Sequence, residues 1–341
     1  MSKRPLTPSS VHTMHPTLAT ALTGGLFGSA LTVSGVASPQ IIINQLQLKD
    51  FHMLLTFLTA SACSASIFAL ADYTNFATIA RKDSTGYGWV NRFDGNVTGG
   101  LLLGLGMGLT GACPGTMVVQ SASGVPNSRL LLTGAMLGGI LFVKWSQSHP
   151  VQPCTTRYQS HDRPPSARGA YTARSLLFGY EAVAVLTILA ISQLAPRGQY
   201  PLHPVLGGML IGLAQAASVL VSRKPLGVSG AYEDIGRACW ALVQRGGLPS
   251  AQNSIFLGSM FVGAKAVLHA IKWTGESLST SDQISPFSSL LGGFLLVFGA
   301  RLGGGCTTGH GISGMSSLGV GSFISVSSMF GSGIGLALTS A

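Results

Sequence analysis

Two cysteines in this chain end segments that repeat each other. Residues 99–113 (GGLLLGLGMGLTGAC) align without a gap on residues 292–306 (GGFLLVFGARLGGGC), with eight of fifteen positions identical at an offset of 193 residues. The alignment places Cys113 and Cys306 at equivalent positions. A thiol is a weak, polarisable hydrogen-bond donor, which suits a sulfur-bearing anion better than a hard oxyanion such as sulfate. The pair therefore indicates one binding site assembled from two halves.

Each cysteine is followed by residues that break a helix. Pro114 cannot continue the preceding hydrogen-bonding pattern, and the glycines at 115 and 309 relieve the backbone locally. Helix N-termini that begin there would direct N–H groups and positive dipole ends at the gap, which favours an anion. Hydroxyl groups in the same tracts add donors. The predicted substrate-binding residues are Cys113, Cys306, Gly111, Pro114, Gly115, Thr116, Gly305, Thr307, Thr308, Gly309 and His310.

Three other interpretations of the segments stay open. A buried cysteine is commonly a small apolar packing residue, although two thiols at equivalent positions beside broken helices weaken that explanation. A membrane-embedded sulfurtransferase would use a cysteine persulfide, which requires an accessible thiolate beside a cation or base. His310 is the one candidate near Cys306 in the sequence, and Cys113 has none. A scaffold would have no need for paired broken helices.

A low charge content defines the class of protein. Charged residues make up only 9% of the 341 residues, whereas a soluble domain carries about a quarter. Charge-free runs such as 95–128 and 302–341 exceed the roughly 20 residues that cross a bilayer as a helix. The 46 glycines lie among apolar residues, and small residues let membrane helices approach closely. The chain is therefore predicted to be an all-α polytopic protein of the lipid bilayer.

Charge distribution and cysteine spacing limit the partners. The net charge is +10, but the basic residues lie in connections between apolar runs, so no nucleic-acid partner is predicted. They act either as topogenic charges facing the cytoplasm or as a vestibule that concentrates an anion. The five cysteines include no CxxC pair, which argues against a disulfide framework or a zinc site. We expect no cofactor.

The apolar runs predict about nine transmembrane helices with short re-entrant helices. The nine spans are 18–37, 51–71, 96–112, 128–145, 174–194, 203–221, 254–272, 287–304 and 319–340. Shorter or re-entrant pieces are expected at 115–125, 233–243 and 309–317.

The spans are predicted to form two repeats. The expected units are a tail 1–17, a first membrane repeat 18–145, a polar loop 146–173, a linking transmembrane helix 174–194 and a second membrane repeat 203–341. Five spans lie between the glycine pairs that begin the repeats, at Gly24 and Gly207. Since an odd number of spans reverses the chain direction, the repeats should be inverted, as in many secondary transporters. Two inverted repeats would form an hourglass.

The distribution of Lys and Arg orients the chain. With the N-terminus inside, the basic connections 72–95, 146–173 and 222–253 face the cytoplasm, as the positive-inside rule requires. We therefore expect a multi-pass protein of the plasma membrane with a cytoplasmic N-terminus. In this orientation the two thiols approach the waist from opposite faces. Arg301, five residues before Cys306, is either an anion contact at the inner mouth or a topogenic charge at the end of a span.

The segments GACPGT (111–116) and GARLGGGCTTGHGISG (299–314) resemble the two signature segments of the YeeE/YedE sulfur-transport family. Characterised members of that family take up thiosulfate, and the likeness covers most of the chain, closest to fungal-type members in its early segments. The resemblance implies an all-helical hourglass in which thiosulfate passes between cysteine thiols, here Cys113 and Cys306, through S–H···S contacts.

One departure from the family pattern affects the thiol count. Bacterial members have a third cysteine after the first span, where residues 31–37 of this chain end in alanine. Cys63 is the nearest thiol that could replace it. The predicted function is transport of thiosulfate or a related sulfur-containing anion without enzymatic activity, and the alternative is a membrane-embedded sulfurtransferase.

Overall fold

The computed structural model describes residues 15–79, 84–151, 167–194, 202–272 and 284–339, which are helical with no β-strand. The first six helices are α1 (Pro16–Val33), α2 (Pro39–Leu46), α3 (His52–Tyr73), α4 (Asp94–Thr110), α5 (Thr116–Ser123) and α6 (Ser128–Ser148). They are followed by α7 (Ala167–Leu194). The remaining elements are α8 (Pro204–Ser222), α9 (Ser229–Gln244), α10 (Gln252–Ala270), α11 (Pro286–Leu302), a π-helical turn (Thr307–Ile312), α12 (Ser313–Ser316) and α13 (Val320–Thr339).

Several helices begin at a proline or end at a glycine. α1, α2, α8 and α11 each have proline in the first turn, where the missing N–H would have no helical partner. α4 and α5 each end at a glycine in the left-handed conformation, Gly111 and Gly124, which favours glycine because other residues pay a steric cost there.

The predicted all-α membrane architecture is confirmed. Within the described residues, six stretches are long and apolar enough to cross a bilayer, namely His52–Tyr73, Ser128–Ser148, Ser175–Gln193, Pro204–Ser222, Pro286–Ser316 and Val320–Thr339. Each of the nine predicted spans coincides with a helix, but α1, α4 and α10 are not among those six. The lipid-facing character is clearest in α7, of whose span only 6% is buried. Exposed Leu and Phe residues cover that helix, as a bilayer requires.

The short elements were predicted less completely than the spans. The pieces expected at 115–125, 233–243 and 309–317 are α5, α9 and the π-helical turn with α12. α2 was not predicted, because eight residues are too short to show a helical period. Residues 1–14 of the tail and 152–166 of the polar loop lie outside the described residues. The repeat boundaries stay predictions.

The two halves share one order of elements, and helices of each half pack against helices of the other. α1–α6 and α8–α13 have the same sequence of long and short elements, with α7 between them. α1 packs along α10 of the other half, and its counterpart α8 packs along α3. In the same way α6 packs along α11, and α13 packs along α4. This reciprocal pattern is the one that a two-fold relation between the halves produces.

The equivalent helices α4 and α11 run antiparallel at the centre of the bundle. Gly99, near the start of α4, lies against Gly299 and Gly303 at the end of α11. Gly106, near the end of α4, lies against Gly292 at the start of α11. Equivalent helices of opposite direction are what inverted repeats require. The close approach depends on glycine, since a Cβ at Gly99 would lie 2.2 Å from the backbone nitrogen of Gly303.

Candidate functional site

The first break joins α4 to α5 and is organised around Cys113. The backbone N–H of Cys113 donates to Thr116 Oγ1 (2.8 Å), and the backbone N–H of Thr116 donates to Cys113 Sγ (3.4 Å). The sequence Cys-Pro-Gly-Thr thus makes the reciprocal bonds of a capping box, with a thiol in the place usually taken by a hydroxyl. The cap orients the thiol, because its sulfur accepts a backbone N–H while its own hydrogen stays available for donation.

The second break joins α11 to the π-helical turn and is organised differently. Gly304 adopts a positive φ of 80°, and Cys306 follows in an extended conformation. Gly309 stands at the position equivalent to Thr116, so this break lacks that hydroxyl. The chain supplies Thr307 and Thr308 instead, both 1% exposed.

The structure brings the two breaks together inside the bundle. Cys113 lies near Cys306, and the Thr307 side chain approaches the Cys113 thiol, although the Thr307 hydroxyl makes no hydrogen bond of standard geometry. Gly115 faces the other break directly, since its Cβ would lie 3.5 Å from Thr308 Oγ1. Segments separated by 193 residues in sequence thus form one buried site.

Tyr232 of α9 is a third component of the site, and the sequence analysis missed it. Its side chain is fully buried, and its hydroxyl donates to the carbonyl of Pro114 (3.0 Å). It also lies within electrostatic range of both Cys113 and Cys306. No sequence signal marks Tyr232, because tyrosine in an amphipathic helix is ordinarily a packing residue.

Two buried polar side chains hold the breaks in place. Gln120 Nε2 donates to the carbonyls of Gly111 (2.9 Å) and Ala37 (3.0 Å), which ties the first break to the connection between α1 and α2. His310 is bonded through Nδ1 to Ser322 Oγ and through Nε2 to the Gly303 carbonyl, each at 3.0 Å. His310 therefore braces the second break against α11 and α13.

The thiols are closed off from solvent in this structure. Cys113 is 1% exposed and Cys306 is 0% exposed. A small cavity lies against Cys306, lined by Gly100, Gly305, His310 and Ser325 among others, with room for about one water molecule. An anion larger than water therefore reaches the site only if the breaks or α9 move.

The remaining predicted residues shape the two breaks. Gly111 ends α4 with φ 56° and packs against the backbone of Pro39. The Gly305 N–H donates to the Ala300 carbonyl (2.8 Å), and Gly309 lies buried within the π-helical turn. Cys63 lies elsewhere, in α3, where its Sγ is 3.3 Å from the position of a Cβ on Gly212 of α8. Arg301 forms an ion pair with Glu233 of α9.

These features define a polytopic α-helical membrane protein with a buried site between two broken helices, an architecture typical of secondary transporters. The chain belongs to the sulphur transport family, whose model matches residues 33–336. Two proteins of Xylella fastidiosa, both named "Probable transporter", are also similar to it. They are 32% identical (strain Temecula1) and 30% identical (strain 9a5c) over 114 residues, or 33% of this chain and 76% of each relative. The YeeE/YedE resemblance is confirmed, and the chain is a membrane transporter.

Proposed function

We propose that this chain transports thiosulfate or a related sulfur-containing anion and passes it between the thiols of Cys113 and Cys306. The observation that carries the proposal is the convergence of both broken helices on one buried place, where the Gly115 position lies 3.5 Å from Thr308 Oγ1 and Cys113 lies near Cys306 and Thr307. The thiols and the threonine hydroxyls are all hydrogen-bond donors. An anion with a polarisable sulfur atom matches that chemistry.

The hydrogen bonds between Cys113 and Thr116 fix the position of the Cys113 sulfur. Because Cys113 Sγ accepts the Thr116 N–H at 3.4 Å, the sulfur is held in place while its hydrogen rotates toward a ligand. Substitution of serine would keep a donor but remove the polarisable atom. The thiol pair should therefore discriminate thiosulfate from sulfate, which presents only hard oxygen atoms.

The contacts of His310 favour transport over the sulfurtransferase alternative. Thiol activation needs a base that accepts the thiol proton. In this structure Ser322 and the Gly303 carbonyl already engage the two ring nitrogens of His310. The ring therefore acts as a brace for the break rather than as a base.

Uptake of ³⁵S-labelled thiosulfate into proteoliposomes tests the proposal. We expect uptake by the unmodified chain, loss of most uptake in Cys113→Ser and Cys306→Ser, and normal uptake in the matched control Cys63→Ser, because Cys63 packs between α3 and α8. Normal uptake in both Cys113→Ser and Cys306→Ser would overturn the thiol relay. Absence of uptake by the unmodified chain, with a persulfide accumulating on Cys306, would support the sulfurtransferase instead.

The charge of thiosulfate makes the dependence of uptake on membrane potential a second measurement. Inward movement against a negative-inside potential costs about 2.3 kcal/mol per charge for each 100 mV, so thiosulfate needs a coupled cation or rapid removal inside. If no cation is coupled, an inside-positive potential should accelerate uptake. If a proton or sodium ion is coupled, an inward gradient of that ion should drive uptake without an inside-positive potential.

A further inference from the structure

A cluster of opposite charges lies beside the second break, and the thiol chemistry does not use it. The Glu233 carboxylate of α9 forms ion pairs with Arg301 at the end of α11 and with Arg237 one turn further along α9. The side chain of Glu233 is only 11% exposed and that of Arg301 only 20% exposed. Charges shielded from water to this degree interact more strongly than those of a surface pair.

The cluster has more capacity for an anion than Glu233 satisfies. Two guanidinium groups share one carboxylate, so the group of three side chains carries a net charge of +1. The Nε of Arg301 is buried and has no hydrogen-bond acceptor, and its Nη1 lies 3.4 Å from the Ser229 hydroxyl. A buried donor without an acceptor is costly, and a bound anion would supply the acceptor.

Helix α9 connects this cluster to the thiols. Val228 and Tyr232, four residues apart, contact the first break at Gly115 and Pro114. The adjacent stripe of the same helix, Ser229 and Glu233, contacts Arg301. Residues four apart share one face of a helix, so a rigid movement of α9 that releases Arg301 also shifts Tyr232 relative to Pro114 in the first break.

Among the residues that the structure describes, the other half of the molecule has no such cluster. Gly108 stands at the position equivalent to Arg301. The short helix α2, which corresponds to α9, contains no charged residue. Within the described residues, the charge pair is therefore a feature of one half rather than a consequence of the repeat.

We propose that Glu233 is a built-in counter-anion that occupies Arg301 while the site is empty, and that an arriving substrate anion displaces it. This inference rests on the proposed function, since it assumes that an anion passes the mouth beside Cys306. Glu233 would then set the affinity of that mouth. A dianion such as thiosulfate displaces a carboxylate more readily than a monovalent anion does, because it gains twice the Coulomb attraction to the guanidinium. The pair would thus favour divalent anions.

Thiosulfate binding by the purified full-length protein tests the inference, with calorimetry as the readout. Glu233→Gln removes the competing carboxylate, and we expect the apparent Kd for thiosulfate to fall roughly tenfold. Asp234→Asn is the matched control, because it removes the same charge from the neighbouring position. The Asp234 carboxylate accepts a hydrogen bond from the Asn253 side chain (2.7 Å) and not from Arg301. We expect the Kd of Asp234→Asn for thiosulfate to equal that of the unmodified chain.

Two further variants keep the inference falsifiable if Glu233→Gln does not fold. Glu233→Asp retains the charge but withdraws it from Arg301, and we expect an intermediate tightening of about threefold. Arg301→Gln should weaken binding and cancel the gain of Glu233→Gln in the double variant. If the unmodified chain binds thiosulfate but neither Glu233 variant binds it more tightly than Asp234→Asn does, the counter-anion is overturned. If the unmodified chain binds no thiosulfate, the proposed function itself fails.

Discussion

Substitution of alanine for Gly99 is expected to push α4 away from α11 at the point where the second break begins. A Cβ at Gly99 would lie 2.2 Å from the Gly303 nitrogen and 2.6 Å from the Gly299 carbonyl oxygen. Both are backbone atoms of a helix end, which cannot move aside as a flexible side chain does. Non-bonded atoms are most stable at about 3.5–4.0 Å, so the helices must separate locally by roughly 1 Å.

The cost follows from the kind of packing that is lost. Membrane helices associate through close van der Waals contact rather than through a hydrophobic driving force. Overpacking of a tight contact costs about 1–3 kcal/mol. Because Gly303 lies three residues before Cys306, the displacement also moves the second thiol. We expect Gly99→Ala to lower both the thermal stability of the purified protein and the rate of thiosulfate uptake.

The assay is thermal unfolding in detergent, with uptake measured on the same preparations. Gly331→Ala in α13 is the matched control, because no atom lies within 4 Å of a Cβ at that position. Gly299→Ala should resemble Gly99→Ala, since its Cβ would lie 2.7 Å from the Gly99 carbonyl oxygen. The double variant should cost less than the sum of the two, because one separation of the helices relieves both contacts.

Two results would refute this reasoning. If Gly99→Ala unfolds at the same temperature as Gly331→Ala, the α4–α11 contact is not as close as the structure shows. If the double variant costs the full sum, the two glycines do not share one contact.

Three further substitutions test the surroundings of the breaks. Thr116→Val removes the hydroxyl that bonds Cys113 and should cost about 1–2 kcal/mol in thermal unfolding, whereas Thr116→Ser should retain stability and uptake. Asp94→Asn replaces a carboxylate at the start of α4 that accepts hydrogen bonds from four backbone N–H groups. We expect it to lower the free energy of unfolding by about 1–3 kcal/mol. Tyr232→Phe leaves the buried Pro114 carbonyl without its donor, which should cost about 1–3 kcal/mol and change uptake.

Each of these predictions has an outcome that contradicts it. Equal stability of Thr116→Val and Thr116→Ser would show that the reciprocal cap of Cys113 does not hold the first break. Asp94→Asn with unchanged thermal unfolding would mean that the connection before α4 is not fixed by the carboxylate. Tyr232→Phe with normal stability and normal uptake would remove Tyr232 from the site. If Tyr232→Phe loses stability but keeps normal uptake, Tyr232 has a structural role alone.

The long elements were predictable because their signals are local. A bilayer requires about 20 apolar residues for a helix, and charges or prolines separate such runs in this chain. The break at Cys113 was also predictable, since Pro114 cannot continue a preceding helix, although α4 itself already ends at Gly111. α2 escaped prediction because its eight residues form a helix through burial of Ile41 and Ile42 in the common core, and that packing is not visible in the local sequence.

Residues of the candidate site could be picked out from the sequence only where the repeat marks them. Cys113 and Cys306 stand out because two copies of one segment end in a thiol. Tyr232 and Glu233 have no counterpart in the other half, so comparison of the repeats cannot find them. The sequence predicted His310 as a substrate-binding residue. In the structure both of its ring nitrogens are hydrogen-bonded to protein groups.

The sequence by itself determined the class of protein, the long helices and the equivalence of the two thiols. These depend on hydropathy, on the backbone limits of proline and glycine, and on self-similarity, all of which act within a few residues or survive alignment. Only the tertiary structure decided that α4 and α11 cross antiparallel and that the two breaks meet. It also placed the Tyr232 hydroxyl on the Pro114 carbonyl of the first break and Glu233 on Arg301. Such contacts join residues far apart in the chain, and they arise from packing among helices whose local patterns do not specify their partners.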